Sequence, residues 1–93
     1  MSTAPAPRGP ERFLRDGRLE QMPRRWDDKR AVVLLLASRV LVLDEPTSER
    51  VLTERLAAVT DDPVGLRRAM VDMGYVSRTR DGSEYWRTVV VEP

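Results

Sequence analysis

The sequence contains no cysteine and no histidine among its 93 residues. A zinc site of the usual Cys/His kind, a disulfide, a thiol nucleophile and a Ser-His pair are therefore excluded. The longest fully apolar run, Ala31 to Ala37, is far shorter than the roughly 20 residues of a membrane-spanning helix. The N-terminus has no apolar core of the signal-peptide kind. We expect a cytoplasmic protein that is not an enzyme and that holds no cofactor or metal.

The charges nearly cancel, since 16 basic and 15 acidic residues give a net charge of +1. This total predicts no overall attraction to nucleic acids or membranes. The distribution is uneven. Residues 8–30 carry eight basic and five acidic side chains, residues 39–62 carry three and six, and residues 65–88 carry five and three. The chain is basic, then acidic, then basic again.

One domain fits this length. Residues 1–10, rich in proline, are predicted to be a disordered tail, and residues 11–91 a domain that begins with a basic arm. Asp16-Gly17 predicts a turn within the arm. The large apolar side chains expected to anchor the arm are Phe13, Leu14, Leu19, Met22 and Trp26. We interpret the arm as a structural strap with a solvated basic edge; entry into a DNA minor groove is the alternative.

Three helices are predicted after the arm. Asp27-Asp28 would cap the first, which runs to Ser38 or Val40 and is buried, although its apolar middle also fits a buried strand. A short strand is expected at Leu41–Leu43. Thr47 or Ser48 starts the second helix, and the side chains of its apolar stripe are Val51, Leu52, Leu56 and Val59.

Asp62 is a good N-cap and Pro63 a good first residue for the third helix, which Gly74 is placed to end. Its predicted buried stripe is Leu66, Ala69, Met70 and Met73. Asp81-Gly82, between two β-rich runs, then predicts a hairpin over about residues 75–91, with the pairing register left open.

This order of elements predicts an α+β fold, a winged helix-turn-helix with three helices and a C-terminal β-hairpin wing. In that architecture the second and third helices form the helix-turn-helix, and the third enters the major groove of DNA.

Several spaced stretches of the sequence resemble a known bacterial family. They are Phe13 to Leu19, the Pro23 segment, Asp61 to Arg68, the Gly74-Tyr75-Val76 junction and Tyr85 to Arg87. Together, over about residues 11–88, they are similar to the domain of unknown function 2087 family. That family occurs as short stand-alone proteins and attached to helix-turn-helix regulators, so the resemblance implies a role in transcription. A histidine commonly precedes the aspartate pair, where this chain has Thr60, so no role of that histidine is expected here.

Four arginines are the candidate DNA-binding residues: Arg67, Arg68, Arg78 and Arg80. Arginine suits phosphates and guanine edges, and Arg68 is the best candidate for contact with a base. The alternative for Arg67 and Arg68 is a structural ion pair with Asp61, Asp62 or Asp72. The hairpin arginines could equally lie on an ordinary solvated surface.

Val64 and Val71 lie on the outer face of the third helix. They could contact thymine methyl groups, seat a protein partner or a second copy, or be covered by the arm. The acidic pairs Asp27-Asp28 and Asp61-Asp62 are interpreted as helix caps and not as metal ligands. The first hypothesis is a small transcriptional regulator that binds double-stranded DNA. The alternative is a winged-helix module for protein interaction or homodimerisation that does not bind DNA.

Overall fold

The computed structural model describes residues 9–89, which form three helices and two small antiparallel sheets. The elements are a 3-10 helix (Gly9–Phe13), β1 (Leu14–Arg15), β2 (Arg18–Leu19), α1 (Trp26–Val40), β3 (Thr47–Ser48), α2 (Glu49–Ala57), α3 (Pro63–Asp72), β4 (Val76–Arg78) and β5 (Glu84–Arg87). The α+β class is thereby confirmed. Most of the predicted tail, residues 1–8, and the end of the predicted hairpin, residues 90–91, lie outside the described residues. In the described part, no helix has the length and apolar character that crossing a membrane requires.

The arm contains the predicted turn. β1 and β2 pair antiparallel, and Asp16 and Gly17 between them both have positive φ, 54° and 78°, as a two-residue type I′ turn requires. Leu19 is buried, and its N–H donates to the Val59 carbonyl at 2.7 Å. The arm is therefore fixed to the end of α2 through backbone as well as side-chain contacts.

The prediction that Trp26 anchors the arm is wrong, because its side chain is 58% exposed. Trp26 is the first residue of α1, and Asp27 and Asp28 lie inside the first turn instead of capping it. Arg25 is the N-cap residue, without a side-chain capping bond. The two carboxylates still favour this helix end because they face its positive dipole.

The apolar middle of α1 forms the centre of the core. Val32, Val33, Leu36 and Ala37 have no exposed surface, so the alternative of a buried strand is wrong. Their spacing follows the helical period of about 3.6 residues. Leu52 and Leu56 of α2, and Leu66 and Met70 of α3, complete the same cluster.

The strand predicted at Leu41–Leu43 is also wrong. Only an isolated bridge joins Leu43 to Arg87, and Val42 is exposed. The chain turns at Asp44, whose φ is 58°. The paired strand therefore forms after this turn, as β3.

Local signals at the ends of α2 and α3 are confirmed. The Ser48 hydroxyl accepts the Val51 N–H at 3.2 Å, and Asp62 accepts the Gly65 N–H at 3.0 Å with Pro63 at the first helical position. After α3, Gly74 has φ of 78°. The Gly74 and Tyr75 N–H groups return to the Val71 and Met70 carbonyls, which is the Schellman arrangement.

The main sheet has the strand order β3-β5-β4, all antiparallel. The hairpin of β4 and β5 is confirmed, and its register pairs Val76 with Arg87 and Arg78 with Tyr85. Its strands are shorter than predicted, because residues 79–83 form the connecting loop and β5 ends at Arg87. The first residue of β3, Thr47, pairs with Tyr85, so this short sheet brings the loop after α1 beside the C-terminal hairpin.

Candidate functional site

A groove of about 340 Å³ lies between the outer side of α3 and the main sheet, and is called the α3–sheet groove below. Its lining residues are Val64, Arg67, Arg68, Val71, Asp72, Arg78 and Tyr85. Five of the six candidate residues from the sequence are thus brought together. The sixth, Arg80, lies in the loop that follows β4 and does not line the groove.

The helical period places Val64, Arg68 and Val71 away from the core. With about 100° per residue, Val64 and Val71 lie about 40° and 60° to one side of Arg68. Leu66 and Met70 are buried on the other side of the helix. Val64 is 47% exposed and Val71 is half-buried. The arm does not cover Val64, so α3 presents apolar surface to solvent beside an arginine.

Arg67 is held within the protein. One guanidinium nitrogen, Nη1, donates to Thr53 Oγ1 at 2.8 Å and to Glu49 Oε1 at 3.1 Å. The guanidinium carbon lies 5.4 Å from the centre of the Tyr85 ring, in a cation–π geometry, and the side chain is 17% exposed. Arg67 therefore joins α3 to α2 and β5. Its acidic partner is Glu49 and not one of the aspartates considered from the sequence.

Arg68 has the opposite surroundings. Its side chain is exposed, and within residues 9–89 it makes no hydrogen bond and has no acidic group within 4.0 Å. Asp72, one turn further along α3, lines the same groove without pairing with it. The guanidinium of Arg68 is therefore available to a ligand.

The hairpin carries two more arginines that have no acidic partner within residues 9–89. Arg78 Nη1 donates to the carbonyls of Thr79 and Arg80 at 3.3 and 3.4 Å, and Arg80 is exposed. Neither guanidinium forms a salt bridge in the part of the chain that the structure describes. Positive charge consequently lies on both sides of the α3–sheet groove.

Asp81 organises the hairpin loop. One carboxylate oxygen accepts from the hydroxyls of Thr79 and Ser83, both at 2.8 Å, and from the Ser83 N–H at 3.0 Å. These hydrogen bonds, that of Thr79 first, lower the pKa of Asp81 to about 2. The loop that carries Arg80 thus has a defined shape, with its own carboxylate bonded to hydroxyl groups.

A second groove, of about 370 Å³, was not predicted from the sequence. It lies between the arm and the start of α3, and its lining includes Leu19, Met22, Lys29, Asp61 and Leu66. The nearby Thr60 is buried and its hydroxyl accepts the Asp62 N–H at 3.1 Å. Asp61, which lines this groove, pairs with Arg18 of the arm. The complementary charges of these two residues, far apart in sequence, were the only signal that could have indicated this contact.

Within residues 9–89, no group of three or more acidic side chains is arranged to hold a metal ion. Three of the four aspartates in the acidic pairs make identified contacts within the protein. Asp62 caps α3, Asp61 pairs with Arg18, and Asp28 pairs with Arg12.

Comparison with known proteins identifies a family but no activity. The model of a family described as "uncharacterized protein conserved in bacteria (DUF2087)" matches residues 18–87. This match extends from β2 to β5 and includes every residue of the α3–sheet groove. No curated protein and no solved structure matches the chain. The chain belongs to the DUF2087 family of uncharacterized proteins conserved in bacteria.

Proposed function

We propose that this chain is a winged-helix protein that binds double-stranded DNA and regulates transcription, in the bacterial cytoplasm where the chromosome lies. The observation that carries the proposal is the set of exposed arginines that have no acidic partner within residues 9–89: Arg68 on α3, and Arg78 and Arg80 on the β4–β5 hairpin. In this proposal α3 enters the major groove and the hairpin contacts the neighbouring phosphates.

The order of elements supports the winged-helix part of the proposal. α2 and α3 are joined by a tight turn, and they are followed by a hairpin whose second strand lies at the centre of the sheet. β3, between α1 and α2, pairs with that central strand. In the proposed winged helix, the third helix and the hairpin would contact DNA together.

The dimensions also support it. α3 has 10 residues, so it is about 15 Å long and, with its side chains, about 10–12 Å wide. The major groove of B-DNA is about 12 Å wide. The adjacent α3–sheet groove, of about 340 Å³, is lined by Arg68 on the helix side and Arg78 on the hairpin side.

The surroundings of each arginine indicate different tasks. Arg78 and Arg80 lie at and beyond the end of β4, where phosphates are the accessible groups. Arg68 extends from α3 itself, where base edges are accessible. Arg67, bonded to Glu49 and Thr53, keeps α3 in place and leaves the DNA contacts to its neighbour.

The test is fluorescence anisotropy with labelled duplexes, repeated over a range of salt concentrations. Wild type should bind at low salt and lose affinity as salt rises, since arginine–phosphate contacts release counterions. The double variant Arg78→Ala/Arg80→Ala should make the slope of log affinity against log salt shallower by about 2. The matched control, Arg15→Ala/Arg24→Ala, removes the same charge from the arm and should leave the slope unchanged.

Two results would contradict DNA binding through the hairpin arginines. Absence of binding at low salt, or equal slopes for the two double variants, contradicts it. If binding is absent and Val64→Asp converts a sedimenting dimer or complex into a monomer, the groove is a protein interface. That outcome replaces the DNA proposal with the interaction-module alternative, because a charge on the outer face of α3 destabilises an apolar contact.

A further inference from the structure

We propose that α3 recognises a guanine with thymines close by on both sides, through Arg68 for the guanine and Val64 and Val71 for the thymine methyl groups. This inference rests on the proposed DNA binding and adds to it the base sequence that the helix selects.

Arg68 is the residue for the guanine. A guanidinium donates two parallel hydrogen bonds to the O6 and N7 atoms of guanine, the commonest specific contact of arginine in the major groove. Such a contact requires a side chain that is exposed and not engaged by the protein. On α3, Arg68 meets both conditions, whereas Arg67 is held by Glu49 and Thr53 and is 17% exposed.

The two valines supply apolar groups at the right spacing. At about 1.5 Å per residue, Val64 lies about 6 Å before Arg68 along the helix axis, and Val71 about 4.5 Å after it. Base pairs are about 3.4 Å apart. Each valine thus lies within about two base-pair steps of the Arg68 contact, on the side of α3 that faces the α3–sheet groove.

The exposure of the valines leaves their methyl groups accessible. Val64 is 47% exposed, and it lines the groove together with Val71 and Arg68. Apolar contact with the thymine C5-methyl group is the one hydrophobic interaction that a base edge offers in the major groove. Valines beside a free arginine therefore favour T near G over cytosine, which lacks the C5-methyl group.

The experiment has two stages, the first of which is selection from a randomised duplex pool. Wild type should enrich a guanine flanked by thymines within two base pairs on each side. Arg68→Ala should enrich no guanine. Arg68→Lys keeps the charge but lacks the two-pronged geometry, so it should bind with an unchanged salt slope and a weakened guanine preference. Thermal unfolding of each variant verifies that the fold is intact.

The second stage removes single groups from the selected duplex. Replacing the guanine by 7-deazaguanine, which lacks N7, should weaken wild type by about tenfold, and the Arg68→Ala variant much less. Replacing each flanking thymine by uracil, which lacks only the methyl group, should weaken wild type by about fourfold. The same replacement should have little effect on a Val64→Ala/Val71→Ala variant.

The outcomes distinguish this inference from the proposed function. Salt-dependent binding without an enriched guanine, or equal affinity for thymine and uracil duplexes, overturns the base recognition and leaves DNA binding standing. Absence of any DNA binding overturns the proposed function itself, and the recognition with it.

Discussion

Two arginines of the N-terminal arm, Arg12 and Arg18, and three of α3 and the hairpin, Arg68, Arg78 and Arg80, have opposite surroundings. In the arm, Arg12 pairs with Asp28 at 2.9 Å and Arg18 pairs with Asp61. On α3 and the hairpin, Arg68, Arg78 and Arg80 have no acidic partner in the described part of the chain. Both regions are basic by composition, but Arg12 and Arg18 are neutralised by carboxylates distant in sequence, whereas, within residues 9–89, the three arginines of α3 and the hairpin are not.

The difference shows that a basic composition does not by itself indicate which arginines are free. Arg24 and Arg25 of the arm are exposed and form no salt bridge within residues 9–89, but Arg12 and Arg18 fasten the arm to α1 and to the turn before α3. Arg18 illustrates this, since it also donates to the Ala57 carbonyl at 2.8 Å. Arg67 is the exception in the groove, because it is bonded in the manner of an arm residue. The predictions below test this division between held and free arginines.

The largest effect on stability is expected at Arg67. Arg67→Ala removes hydrogen bonds to Glu49 and Thr53, and should lower the free energy of unfolding by about 2 kcal/mol. Urea denaturation measures this loss, with the adjacent Arg68→Ala as the matched control. Equal stability of the two variants would remove the distinction between them.

A smaller loss is expected at the arm. Arg18→Ala should lower the free energy of unfolding by about 1 kcal/mol, because the ion pair with Asp61 is largely exposed while the bond to the Ala57 carbonyl contributes more. A double-mutant cycle with Asp61→Ala separates the two contributions. A coupling energy of zero would show that the pair does not fasten the arm.

The hairpin loop should respond to acid. Because the folded-state pKa of Asp81 is lowered to about 2, from about 3.9 in an unfolded chain, its carboxylate stabilises the fold above about pH 4. That contribution is lost as the pH falls toward 2. Thr79→Val removes the first hydrogen bond and should move the pKa of Asp81 upward, as NMR titration of the carboxyl carbon would detect. An unmoved pKa contradicts the assigned cause.

The smallest effect on stability is expected at Arg15 and Arg68. Arg15 meets Glu20 only at 3.9 Å, with both side chains mostly exposed, and Arg68 has no partner within residues 9–89. Each change to alanine should alter the free energy of unfolding by less than about 0.5 kcal/mol. The two should still separate in anisotropy measurements, where only Arg68→Ala weakens DNA binding. Equal DNA affinities of the Arg15→Ala and Arg68→Ala variants would contradict the proposed role of Arg68.

Much of the local structure follows from short sequence signals. Asp16-Gly17, Ser48, Asp62-Pro63 and Gly74 all take the conformations that their types favour, because a turn or a cap depends on a few neighbouring residues. The helical period likewise places Val64 and Arg68 on the outer side of α3. Most of the candidate site could therefore be predicted from the sequence.

The remaining features depend on residues distant in sequence. Leu41–Leu43 has the composition of a strand, but the chain turns at Asp44. Thr47 and Ser48 therefore pair with β5 instead. Trp26 is large and apolar, but it begins α1 on the side that faces solvent. Side-chain type does not determine which surface the rest of the chain covers.

The sequence alone determined that Arg67 and Arg68 follow one another on a helix whose other side is buried. Only the tertiary structure decided their different roles. α2 brings Glu49 and Thr53 to Arg67, and β5 brings the Tyr85 ring, whereas a rotation of about 100° around the helix leaves Arg68 in solvent. Two identical neighbours became a structural residue and a free one, because an ion pair requires a partner whose position the whole fold sets.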